Sequence, residues 1–384
     1  MKKKLFLGLM AAAAVSFTAC QKDEVLNEVP QDQPIEFGTY IGRDAQTKAS
    51  VINLDALKEK GFGVFAYYTG QNSYDEANST PNFMYNEQIT WSTNAWTYNP
   101  VKYWPNNPND KVSFFAYAPY AATNNDSKIK FNLVDADTKG DFEVKYVIPE
   151  TVTEQIDLLY ANNNNINKTK QSITGNINFQ FKHALSRVGF KVESVIDEVN
   201  NQNNGATPDT DNQNKDYIAT NATIVKVEEV ELIANNKFFA SGDLNLNGGT
   251  WTKTYADRTH ASYKLGSSNF EATVADNVTK SAQLLNKADS YMMLIPANLT
   301  DATEGIKIRV KYTVTTTDAK LPNGKSEIVN DITSESFAFN FDQGKAYNFV
   351  LHLGMTSVKL TADVEGWDPA DGTDVVVNVP INFN

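Results

Sequence analysis

The chain is nearly without cysteine. Cys20 is the only one in 384 residues, so no intrachain disulfide can form and stability must come from packing. Histidine is scarce too. None of His183, His260 and His352 has a second histidine or a cysteine at ligand spacing, so no zinc site is expected. Basic residues are outnumbered, 34 against 46 acidic, for a net charge of -12. That balance excludes recognition of nucleic acid or anionic lipid by charge, which needs a basic face. Nucleophile elbows and phosphate-binding loops are missing. The paired acids Glu228 and Glu229 are neighbours on a strand and face opposite ways, so they make no acid/base couple. The acidic turn Asp368 to Asp374 lacks the EF-hand spacing and its distal Glu. The expectation is a protein that is not an enzyme and holds no metal or cofactor.

Long apolar runs are absent except at the start. Leu5 to Phe17 follows Lys2, Lys3 and Lys4 and is too short to cross a bilayer of about 30 Å as a helix. A basic start, an apolar core and small residues at its end read as a secretory signal over residues 1–20. Thr18 and Ala19 before Cys20 resemble the lipobox of bacterial lipoproteins, with Phe17 where leucine is usual. The resemblance implies that Cys20 carries the lipid which anchors the chain to the outer membrane. Acyl chains contribute about 0.8 kcal/mol per buried methylene, so several of them hold almost permanently. Gln21-Lys22-Asp23-Glu24 resembles the surface-export signal of Bacteroidota lipoproteins. Residues 21–34 are polar and without period, and read as a flexible tether.

What remains is rich in short alternating runs separated by Asn, Thr and Ser, the pattern of an all-β protein. Ile35, Phe37, Thr39 and Ile41 alternate with polar or small residues, predicting a strand with one buried face. Arg43 and Lys48 follow it. Asn53 can cap a short helix, Leu54 to Lys60, closed by Gly61. Gly61 to Tyr68 is apolar on both faces, predicting a strand between two layers. Trp91, Trp96 and Trp104 cluster among tyrosines and prolines, either as packed core or as an exposed platform for sugar. Ile177, Phe179 and Phe181 open a second set of strands. Ala222 to Ala234 shifts its register at Glu228-Glu229, as a bulge would. Phe337 to Phe341 and Tyr347 to Leu353 read as a hairpin around Gly344. The divisions expected are an N-terminal domain over 35–172 and a C-terminal one over 173–384.

The last run alternates Val375, Val377, Val379, Ile381 and Phe383 with mostly polar neighbours. At about 3.3 Å per residue it is roughly 30 Å long, the height of a small sandwich. Such a run wants a groove to fill, either in a neighbour or as an edge strand of its own subunit. Pro380, lacking an N–H, favours an edge.

The order of motifs is specific. Gly61-Phe62-Gly63-Val64-Phe65-Ala66-Tyr67 leads to Tyr103-Trp104-Pro105 and to Ser113-Phe114-Phe115-Ala116-Tyr117-Ala118-Pro119. Then come Phe179-Gln180-Phe181-Lys182-His183-Ala184-Leu185-Ser186-Arg187-Val188, Gly344-Lys345-Ala346-Tyr347 and Gly366-Trp367. Together they resemble the fimbrillin family, subunits of type V pili in Bacteroidota. The resemblance implies two transthyretin-like Greek-key β-sandwich domains in tandem. It implies a surface lipoprotein cut by a trypsin-like protease, with Arg43 the first candidate and Lys48 the second. The strand removed would carry Ile35, Phe37, Thr39 and Ile41. A neighbour's terminal strand, with Val375, Val377, Val379, Ile381 and Phe383, would enter the groove left behind. The partners implied are other copies of the chain and other pilus subunits. A surface glycan-binding lipoprotein and a pilus tip subunit are the alternatives.

Overall fold

The computed structural model describes residues 33–41, 52–123, 126–161, 165–173, 175–194, 223–270, 273–275, 283–287, 290–300, 305–317, 321–367 and 375–381. Within them the chain is mostly β, in several sheets. One sheet has seven strands, in the order Phe37–Ile41, Ile177–His183, Leu159–Ala161, Lys111–Ala118, Phe62–Gly70, Met84–Ser92, Ala95–Thr97. Its two outermost strands come back towards each other. Trp96 Nε1 donates to Thr39 Oγ1 at 3.0 Å across the gap, and the sheet is a nearly closed barrel.

Alternation along Phe62–Gly70 explains the two cores. Phe62, Val64 and Ala66 enter the smaller cluster, with Ile35, Phe37, Phe114 and Phe179. Phe65 and Tyr67 point the other way, into a larger cluster with Phe142, Val144 and residues of the other sheets. The strand lies between two layers, as its unbroken apolar run requires. The helix Leu54–Lys60 closes on the smaller core through Leu57. Its ends follow the sequence. Asn53 Oδ1 accepts from the Ala56 N–H at 2.8 Å, and the Gly61 N–H donates to Leu57 O at 2.8 Å. Gly61 has φ +67°, and a Cβ there would stand 2.6 Å from the Ile89 carbonyl oxygen. Only glycine fits that turn.

The second half holds a sheet ordered Gln283–Leu284, Ser186–Ser194, Lys345–Leu353, Val358–Gly366, Val375–Ile381. A third sheet runs Arg258–Gly266, Thr223–Phe239, Lys307–Thr317, Lys325–Thr333. The register between Thr223–Phe239 and Lys307–Thr317 slips between Val227 and Glu229, where the sequence places a bulge.

Two expectations are corrected. Ile177–His183 does not open a second sheet; it pairs with Leu159–Ala161 and with Phe37–Ile41, inside the first. The run before Gly344 is not half of a hairpin. Phe339–Phe341 pairs with Ala297–Leu299, whereas Lys345–Leu353 pairs with Ser186–Ser194 and Val358–Gly366. The turn is real, with Gly344 at φ +68°. It joins layers instead of neighbouring strands, and Phe339 packs on Tyr347 and Phe349 ring against ring at 5.4 and 5.2 Å.

Candidate assembly site

The leading strand Phe37–Ile41 is an edge strand of unusual sense. It runs parallel to Ile177–Phe181, from Phe37 opposite Ile177 to Ile41 opposite Phe181. Its other neighbour across the gap is held by side chains. The residues just before it are pinned as well: the Ile35 N–H donates to Lys102 O at 2.9 Å, and the Trp104 N–H to Gln33 O at 2.9 Å.

Its grip on the core is uneven. Ile35 and Phe37 are 1% and 2% exposed, whereas Tyr40 is 54% exposed. Phe37 meets four rings: Tyr98 at 5.3 Å, Phe179 at 5.5 Å, Phe114 at 6.2 Å and Phe62 at 6.5 Å. Thr39 and Ile41 are only half-buried, so the expectation of four buried side chains holds for the first two. Thr39 spends its hydroxyl on Trp96. Tyr98 donates its hydroxyl to Ile35 O at 2.8 Å. Burial, the main cause, pushes the Tyr98 phenol up to about 12, so it stays a donor through the physiological range. A cavity of about 610 Å³ lies along the gap, lined by Ile35, Phe37, Thr39, Trp91, Trp96 and Tyr98 among others.

The idea of an exposed aromatic platform is corrected here. Trp96 and Trp104 are 8% and 3% exposed and belong to the smaller core. Trp96 is edge-on to Phe62 at 4.9 Å, and Trp104 to Phe114 at 5.9 Å. Trp91 is half-buried, with Lys58 Nζ 4.9 Å from its ring centroid. The strands carrying Trp91 and Trp96 curl round to meet the leading strand, which turns Trp96 inward.

At the other end of the chain, Val375–Ile381 forms the outermost strand of its sheet. Its backbone pairs antiparallel with Val358–Gly366: Val375 opposite Val364, Val377 opposite Ala362, Ile381 opposite Leu360. The register slips between Ala362 and Leu360. The slip falls beside Pro380, which has no N–H to give to a ladder. Of the remaining expected residues, Cys20, Arg43, Lys48 and Phe383 lie outside the described residues, as does the acidic turn from 368 to 374.

One residue the sequence reading passed over is Asp157. It interrupts the apolar run Ile156 to Tyr160, and an acid in such a place was the available signal. It is buried, and its Oδ2 accepts from the Ile52 N–H at 2.9 Å and faces His183 Nδ1 at 2.9 Å. The His183 ring stacks on Trp367, centroids 4.0 Å apart and planes 10° from parallel. Among the described residues, no group of three histidine, cysteine, aspartate or glutamate side chains could hold a metal ion.

A family model described as fimbrillin-like matches residues 47–367. Fimbrium subunit Fim1C of Phocaeicola vulgatus is 28% identical over 400 residues, covering 97% of this chain and 98% of that one. A crystal structure of a fimbrial protein from Bacteroides vulgatus superposes with a TM-score of 0.67 at 22% identity, over 88% of this chain and all of that one. The last likeness shows the fold. The family match covers well over half of the chain, and the chain belongs to the fimbrillin-like family. It is a structural subunit of a fimbrium, not an enzyme. The family places it at the cell surface as an outer-membrane lipoprotein that assembles with like and unlike fimbrial chains.

Proposed function

We propose that the chain is a shaft subunit of a type V pilus that polymerises by strand exchange. The reading has two transthyretin-like Greek-key sandwiches in tandem, with the expected boundary at 172/173 moved past Ile177–His183, which pairs within the first sheet. The lipid on Cys20 brings the subunit to the surface. A trypsin-like protease cuts after Arg43, or after Lys48, and the leading strand departs. The terminal strand of the next copy, offering Val375, Val377, Val379, Ile381 and Phe383 at a period of two, takes its place.

One observation carries this reading: Phe37–Ile41 is bonded to a sheet neighbour on one side only, yet Ile35 and Phe37 fill the core. Fully burying such side chains is worth about 1.5–3 kcal/mol each. An emptied berth would expose the Phe62, Phe114 and Phe179 rings, take the Ile35 carbonyl from Tyr98 and leave Trp96 without its Thr39 acceptor. That cost favours a replacement strand with apolar residues at alternate positions, which is β-augmentation. The family match opens at 47 and closes at 367, leaving out both strands that the exchange would use. A head-to-tail contact of this kind does not close on itself, so it extends into a filament.

Mild trypsin followed by native gels tests the proposal. Ladders are expected after a cut at Arg43 or Lys48, and none from a chain lacking residues 375–384. A trimmed protein that stays monomeric overturns strand exchange. The glycan reading has little support, since two of its three tryptophans are core.

A further inference from the structure

Two points of the chain, remote in sequence, meet at one buried Asp157–His183 pair. Ile52 lies a short way beyond Arg43 and Lys48 in the sequence. Trp367 lies shortly before Val375, where the terminal strand begins. The Ile52 N–H is bonded to Asp157 Oδ2, the same oxygen faces His183 Nδ1, and the other side of the contact is the His183 ring flat against Trp367. Trp367 is tied further back: its N–H donates to Gly344 O at 3.0 Å, and the Gly344 N–H to Leu185 O at 3.0 Å. The Arg187 guanidinium lies 5.3 Å from the Trp367 ring centroid.

The cluster is built at a cost. Asp157 and His183 are buried, and Asp157 Oδ1 and the Trp367 indole N–H are buried without a hydrogen bond among the described residues. Buried polar atoms left unpaired call for an explanation beyond packing. The helix that follows Ile52 has seven residues, too few to persist alone in water. It therefore depends on Leu57 and on whatever fastens Ile52.

We propose that Asp157 and His183 are positioning residues for strand exchange. They form a shared mooring that keeps the new N-terminal end on the body after the cut and fixes the point from which the terminal strand departs. The proposal rests on the strand-exchange reading, but its mooring can be tested apart from polymerisation. A hydrogen bond to a charged acceptor holds the Ile52 end more firmly than a neutral one would. The stack then carries any loosening at Trp367 to Asp157 through His183.

The test follows trypsin cleavage at Lys58 and Lys60 in the full chain after the first cut, by mass spectrometry over time. In the unaltered protein both sites are expected to resist. In Asp157→Ala they should be cut about tenfold to a hundredfold faster, the range expected for losing one charge-assisted bond. Asp157→Asn, which keeps an acceptor for Ile52, should fall between. Trp367→Leu, far away in sequence, should also speed cleavage at Lys58 and Lys60, whereas Trp367→Phe should not. Thermal unfolding of each uncut variant identifies any that fails to fold, and Trp367→Leu with Asp157→Asn then carries the result. Equal resistance in Trp367→Leu and the unaltered chain overturns the shared mooring. A protection difference in a protein that never forms ladders keeps the mooring and removes strand exchange.

Discussion

Trp96 gives its indole N–H to Thr39 Oγ1 at 3.0 Å, and with that bond the last strand of the barrel sheet meets the first. The two strands are not joined by a backbone ladder. The seam can therefore open without breaking sheet hydrogen bonds on the Trp96 side. Removing the bond while keeping the shapes, by Thr39→Val, should cost about 1 kcal/mol, with the indole left unpaired. Urea unfolding monitored by tryptophan fluorescence measures it. No change in the midpoint would mean the seam is held by packing alone.

Phe37 is the anchor of the leading strand, since four aromatic rings surround it. Phe37→Ala should destabilise the uncut chain by about 3–5 kcal/mol, the range for a deeply buried phenylalanine. Tyr40→Ala, at an exposed position of the same strand, should stay within about 0.5 kcal/mol. Equal losses at the two positions would contradict the burial seen here.

The slip beside Pro380 predicts a gain. Pro380→Thr restores an N–H and a residue suited to strands, so the terminal strand should pair more regularly with Val358–Gly366. Amide exchange across Val358–Gly366 should slow. If strand exchange holds, ladder formation after the cut should slow with it, because the donor is held better at home.

Arg309 sits amid Glu229, Glu231 and Asp331, with its two Asp331 contacts at 2.7 Å. Its hydrogen bonds are the chief reason the Asp331 carboxyl lies below the usual range. A lowered value in the folded state means the stabilisation is present above the ordinary aspartate pKa of about 3.9 and is lost as pH falls through the lower folded one. Arg309→Met should cost no more than about 1 kcal/mol at neutral pH, because the Asp331 partner is 46% exposed and water screens the pair. The gap between the two proteins should shrink in salt and close in acid. A gap that persists below pH of about 2 would show that the arginine acts through packing.

Much of the fold was legible where local chemistry decides. Asn53 and Gly61 bracket the helix because one supplies an acceptor and the other a positive φ. The two-faced run Phe62 to Tyr67 told of two layers, and Glu228-Glu229 of a bulge. What was hidden depends on which strand lies beside which. Phe339 and Phe341 alternate just as a hairpin partner would, and period two cannot tell a neighbour in the sheet from a neighbour across layers. Trp96 and Trp104 read as candidates for either surface or core, and only the curl of the sheet turns them inward. Ile177–His183 has the same pattern in either sheet. Asp157 was passed over because a single acid in an apolar run has no partner nearby in sequence: Ile52 and His183 come from elsewhere.

The same-sense pairing of Phe37–Ile41 with Ile177–Phe181 has a wider meaning. Strands joined by a tight reversal inherit their orientation from it, and their covalent link does half the recruiting. Here the two partners are remote along the polypeptide, so no tight reversal sets their register, and the spacing of side chains and amides must align whatever lies in that slot. If strand exchange holds, that is the property which lets a foreign strand settle where the native one lay.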